Sequence, residues 1–224
     1  MTLPSLSGPS VPTASGGPAK QLVVFLHGVG ADGDDLIGLA PYFAERLPDA
    51  EFLSPHAPFP FDMAEGCRQW FSLQDTAPQS VLAGIKVAAP LLDAFLDQEL
   101  AARGLTDEQL VVVGFSQGTM LALYVLLRRS RPCAVLVGFS GMLAAPDLLP
   151  AEMTVKPRIL LIHGEDDPVV PHGFLPLAKN ALELMGVPVL TLSLPDLGHG
   201  IDERGLDAAT DLVGQVFGAE PSDQ

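Results

Sequence analysis

A serine with a glycine two positions away on either side can serve as a nucleophile. Gly114-Phe115-Ser116-Gln117-Gly118 follows the apolar run Leu110-Val111-Val112-Val113 and leads into Thr119-Met120-Leu121-Ala122-Leu123-Tyr124. The pattern predicts a buried strand, a sharp turn and a helix. Such a turn strains the serine backbone and crowds its neighbours, so both flanking positions need small residues. The hydroxyl then stands at the end of a sheet, beside a helix N-terminus. To react it needs a general base, an acid that orients the base, and donors for the developing oxyanion.

Three further segments offer those groups. Pro195-Asp196-Leu197-Gly198-His199-Gly200 places His199 between two glycines on a loop, where its ring can act as general base. His163-Gly164-Glu165-Asp166-Asp167-Pro168 supplies carboxylates. Asp167 is the expected acid, because Pro168 biases it to an extended conformation and so fixes its direction. Glu165 and Asp166 read as solvated charges. Of the other histidines, His172 lies too close to Asp167 along the chain, and His27, His56 and His163 read as hydrogen-bonded bystanders. The order Ser116, Asp167, His199 is the one an α/β-hydrolase uses. His27-Gly28-Val29-Gly30-Ala31-Asp32-Gly33 can turn backbone amides toward one point, and the Val29 and Gln117 amides are the expected oxyanion hole. The competing interpretation of that segment is a plain Gly-rich turn, with Asp34 capping the next helix.

Several other groups are weaker candidates. Gly138-Phe139-Ser140-Gly141 resembles the first turn but carries Met142 where the second glycine is needed, so Ser140 is not the expected nucleophile. His163, Asp166 and His172 have no helical or tight-turn ligand spacing, and no metal is expected. Cys67 has only Arg68 beside it and reads as inert. Trp70, Phe71, Leu73, Phe115, Met142 and Val169 are candidates for an apolar substrate pocket, although core packing explains about half of such residues.

The elements needed to hold these groups alternate between strand and helix. Apolar runs at 22–26, 51–54, 110–113, 134–137, 158–162 and 189–194 predict strands. Helices are expected over 34–47, 81–103, 117–129, 173–185 and 202–217, with Pro41 and Pro90 as bends or late starts and Gly104 and Gly186 as stops. The alternation predicts an α/β fold with a mostly parallel sheet and helices on both faces. Each polar motif then falls at the carboxyl end of a strand, where such sheets bind ligands. Residues 1–20, rich in Ser, Pro and Gly, predict a flexible leader. Residues 21–218 form the single domain, and 219–224 a C-terminal tail.

Composition narrows the class. The 224 residues carry a net charge of −15 and are 48% hydrophobic. An acidic surface of this size repels phosphate backbones, so no nucleic-acid partner is expected. No apolar run approaches the roughly 18 residues that span a bilayer, so no stable membrane insertion is expected. Two cysteines and a start unlike a signal peptide predict a cytoplasmic protein.

Taken together, His27-Gly28-Val29-Gly30, Asp32-Gly33, Arg68, Trp70-Phe71, the Ser116 turn, Asp167-Pro168-Val169-Val170-Pro171 and Leu197-Gly198-His199-Gly200 resemble the phospholipase/carboxylesterase family. This α/β-hydrolase group includes bacterial carboxylesterases and acyl-protein thioesterases. The resemblance spans 21–217. It implies a fold with no large lid domain, Ser116, Asp167 and His199 as triad, Val29 and Gln117 as oxyanion hole, and Trp70-Phe71 as part of the acyl pocket wall. Some members pair, which leaves a homodimer open. The expected activity is hydrolysis of a small-molecule ester or thioester with short to medium acyl chains, without a cofactor. Acyl-protein thioesterase and lysophospholipase activities are alternatives on the same site; a peptidase, a lactonase and a non-catalytic binding scaffold are more distant ones.

Overall fold

The computed structural model describes residues 5–218. The expected tail, 219–224, and the first four residues of the expected leader lie outside the described residues.

Among the described residues, nine strands form two sheets. In chain order they are β1 (Ser10–Val11), β2 (Gln21–Leu26), β3 (Ala50–Leu53), β4 (Phe59–Pro60), β5 (Arg68–Gln69), β6 (Leu110–Phe115), β7 (Val135–Phe139), β8 (Arg158–Gly164) and β9 (Val189–Leu194). The main sheet has the order β1-β3-β2-β6-β7-β8-β9. Only β1 runs antiparallel in it; the other pairings are parallel. The helices are α1 (Gly33–Leu36), α2 (Ala40–Ala44), α3 (Pro78–Arg103), α4 (Gln117–Leu126), α5 (Leu149–Glu152), α6 (Phe174–Leu184) and α7 (Glu203–Phe217).

The central strands β2, β6, β7 and β8 are largely continuous apolar runs because both faces are covered. Alternate residues of each strand enter opposite cores. Val24, Leu26 and Val112 pack with Ile85 and Leu92 of α3, Leu121 of α4 and Leu182 of α6. Val23, Phe25 and Val113 pack with Phe43 of α2 and with Leu206, Ala209 and Val213 of α7. By length and composition α3 is able to cross a bilayer, with an 18-residue window of mean hydropathy 1.4. Here its apolar face lies on the sheet.

Local differences from the expectations have physical reasons. The expected helix over 34–47 divides into α1, a tighter turn over Ile37–Leu39, and α2. Pro41 occupies the first turn of α2, where its missing N–H costs nothing. α3 runs straight through Pro90. Pro90 and Lys86, whose carbonyl it leaves unbonded, are both exposed, so water can take that place. The leader also differs. From Ser5 onward it lies against the sheet edge, β1 pairing with β3 and the carbonyls of Ser7 and Pro9 accepting from the amides of His56 and Ser54. Composition hid this, because a two-residue edge strand has no periodicity.

Candidate active site

The strand ends converge as the parallel topology requires. Phe115 pairs with Phe139, and Phe139 with Ile162, so Ser116, Ser140 and His163 stand side by side at the carboxyl ends of β6, β7 and β8.

Ser116 has φ 53° and ψ −115°, a region that side chains rarely adopt. Such strain costs on the order of 1–3 kcal/mol and persists only where the surroundings enforce it. Two bonds do so here: Ser116 N donates to Phe139 O (2.9 Å) and Met120 N to Ser116 O (3.2 Å). A Cβ at Gly114 would lie 2.6 Å from Thr119 N, and one at Gly118 would lie 2.0 Å from Leu26 O. Both flanking glycines are therefore steric requirements of the turn. Gln117 is the first residue of α4, so its amide has no partner within the helix.

Gln117 also does something its backbone role did not foretell. Its Oε1 accepts from Trp70 N (2.7 Å), and its Nε2 donates to Phe71 O (2.7 Å). The Trp70 indole N–H donates to His27 O (2.9 Å). Trp70 and Phe71, 0% and 2% exposed, are thus structural supports for the turn. Phe71 also lines a separate open cavity with Phe59, Gln69 and Gly84.

The loop after β2 lies against the turn: a Cβ at Gly28 would meet the Phe115 ring at 3.1 Å and Ser116 Cβ at 3.4 Å. His27 fixes this loop. Its Nε2 accepts from Ala57 N (2.9 Å), so Nδ1 carries the proton and donates to Gly28 O (2.7 Å). Burial lowers its pKa and keeps the ring neutral, outweighing the Gly28 carbonyl. Gly30 N donates to Arg68 O and Arg68 N to Ala31 O, which ties β5 to the same loop.

His199 and Asp167 meet as expected, with His199 Nδ1 donating to Asp167 Oδ2 (2.7 Å). The His199 loop is held to the end of β8 by the bond from Asp166 N to Leu197 O (3.0 Å). Asp167 Oδ1 accepts from the amides of Val169 (2.8 Å) and Val170 (2.9 Å). Burial alone would push this carboxyl up; the His199 bond and the two amides outweigh it and hold it below the ordinary aspartate range. The His199 ring rests on Phe115, centroids 4.9 Å apart.

The remaining candidates fall elsewhere. Ser140 also has positive φ, 47°, but is fully buried with an unpartnered Oγ. His172 Nε2 bonds to Ser193 Oγ (2.6 Å), which donates to Glu165 (3.0 Å). Asp32, Asp34 and His56 come within 4.8 Å of one another, yet Asp32 caps Asp34 N and His56 accepts from Gly33 N. Leu73 packs partly buried against the core, and Val169 is 62% exposed. Of the expected pocket residues, Met142 alone lines an apolar groove of about 300 Å³, whose walls include none of Ser116, Asp167 and His199; Gly141, next to Met142, lies against the Ser116 backbone, a Cβ there meeting Ser116 O at 3.2 Å. The other walls of the groove are Thr76, Pro78 and Val81 at the start of α3, residues 143–146, and Phe174, Leu177 and Ala178 of α6. These lie on three separate segments without a shared motif.

A mostly parallel sheet with a strained serine turn after β6 and an aspartate–histidine pair from the loops after β8 and β9 defines an α/β-hydrolase. The model of the phospholipase/carboxylesterase family matches residues 10–216, and the chain belongs to that family. It is a hydrolase of the carboxylesterase type. It is 30% identical to Esterase YpfH of Escherichia coli over 87% of this chain and 82% of that relative. It is 32% identical to acyl-protein thioesterase 1 of Saccharomyces cerevisiae over 73% and 77%. Among solved structures, esterase PE8 superposes with a TM-score of 0.91 at 41% identity, over 95% of this chain and 99% of that one.

Proposed function

We propose that the protein hydrolyses carboxylic esters of short to medium acyl chain through an acyl-enzyme on Ser116. The observation that carries this is the strained Ser116 turn beside a His199–Asp167 pair at 2.7 Å. His199 takes the Ser116 proton as Oγ attacks the acyl carbon. The Val29 and Gln117 amides receive the oxyanion. His199 then protonates the leaving alcohol and afterwards activates a water that releases the acid. Asp167, ionised and acceptor-only, holds the proton of His199 on Nδ1 and so leaves Nε2 free for Oγ. No cofactor takes part.

The groove between the residue 142–146 loop, α3 and α6 supports an acyl site. Its lining is almost wholly apolar, and about 300 Å³ is at the small end of ligand pockets, which favours short to medium chains. A thioester meets the same groups, so an acyl-protein thioesterase is the second proposal, and the yeast relative favours it. A panel of p-nitrophenyl esters of rising length, acyl thioesters and lysophospholipids tests the choice. Preference for butyryl to octanoyl esters is expected; faster turnover of palmitoyl thioesters would reverse it.

A further inference from the structure

His163 is the last residue but one of β8, four residues before Asp167, and is 1% exposed. Its Nε2 lies 2.8 Å from Val170 O and 3.3 Å from Asp167 Oδ2. Both are acceptors, so Nε2 must carry the proton and donate. The Asp167 carboxylate accepts from two amides at Oδ1 and from His199 at Oδ2, and the His163 N–H, bonded to Val170 O, lies 3.3 Å from that same Oδ2.

We propose that His163 is a positioning residue of hydrolysis, resting on Asp167 as the acid of the triad. One N–H, donated to Val170 O with its positive end 3.3 Å from Asp167 Oδ2, closes the 167–170 turn from inside and steadies the carboxylate that aims His199. The outer side of this turn offers no such anchor, since Pro168 and Val169 are exposed. That N–H dipole beside Oδ2 also tempers its basicity toward His199. The titratable groups facing His163 are Asp167, His199 and His172, the last edge-on with centroids 5.8 Å apart. Thr119 and Leu123 of α4 and Leu175 and Ala178 of α6 also surround it, and none of them titrates. Burial lowers the pKa of His163, outweighing the Val170 carbonyl and Asp167, so it remains a neutral donor near neutral pH.

The test is the pH profile of kcat/KM on a p-nitrophenyl ester for His163→Phe, His163→Asn and His163→Gln. Gln carries an amide N–H at the reach of Nε2; Asn falls one carbon short. With that N–H dipole gone, Oδ2 holds the His199 cation more tightly. Phe and Asn should lower kcat about tenfold with KM unchanged, and move the acidic limb to higher pH; Gln should restore both. If Phe does not fold, the Asn–Gln pair carries the comparison. An unmoved limb in a folded Asn variant, or a loss that Gln does not rescue, overturns the proposal. Asp167→Asn in the same assay separates the two claims: if it keeps full activity, the triad itself is wrong, whatever His163 does.

Discussion

Gly118→Ala adds a single methyl group and tests how tightly the turn is built. The new Cβ would lie 2.0 Å from Leu26 O, 2.6 Å from Leu26 C and 2.8 Å from His27 O. Real Cβ contacts essentially never fall below 3.0 Å, so the start of α4 and the end of β2 must separate by about 1 Å, the scale at which a misplacement costs about a hundredfold in rate. Both sides are backbone, and no side chain can rotate away. Overpacking of this kind costs about 1–3 kcal/mol. For a chain of this size that lowers Tm by about 2–12 °C. The same shift moves Ser116 and the Gln117 amide away from the loop carrying Val29. We therefore expect kcat on a p-nitrophenyl ester to fall about a hundredfold or more while the protein stays folded. Scanning calorimetry and steady-state kinetics read the two effects. A variant with unchanged Tm and kcat would refute the steric account of the turn.

Asp167→Asn should keep the fold, since the Asn carbonyl can still accept from Val169 and Val170, but its NH₂ would face His199 Nδ1 and enforce the wrong tautomer. A fall in kcat of about 10⁴-fold is expected on steady-state kinetics, with little change in KM. Stability should decline as pH drops, in two stages followed by urea midpoints. His27 and His163 have lowered pKa values, so the unfolded chain binds protons first, and each removes up to about 1.4 kcal/mol per pH unit below about pH 6.5. Asp167, also depressed, stabilises above the ordinary aspartate pKa of about 3.9, and that contribution is lost as pH falls from there through its folded value. A flat midpoint between pH 7 and 5 would contradict the neutral buried histidines. Cys133 is 3% exposed, and burial pushes its thiol up to about 12, so it should resist iodoacetamide in the native protein and be labelled only on unfolding, as peptide mapping would show.

Much of this was legible in the chain because the same physics wrote both. Covered strands must be largely apolar, so β2, β6, β7 and β8 could be read directly. A strained serine turn needs glycine at 114 and 118, and that requirement distinguishes Ser116 from Ser140 in the sequence itself. What sequence did not reveal is contact between distant segments. Trp70 and Phe71 look like any aromatic pair near a pocket; only the Gln117 amide clamped on their backbone shows them to be supports. The groove draws on residues 76–81, 142–146 and 174–178, whose convergence no local pattern encodes. β4 and β5 are too short for periodicity, and the first is partly proline. His163 left one clue, its place four residues before Asp167 at a strand end.

The most direct test of the central claim is the site of covalent labelling by a fluorophosphonate. Treated protein should gain one adduct by intact mass, and peptide mapping should place it on Ser116. Ser116→Ala should take up no label and lose ester hydrolysis by about 10⁴–10⁶-fold. Label on the peptide carrying Ser140, or hydrolysis retained in Ser116→Ala, would contradict the account.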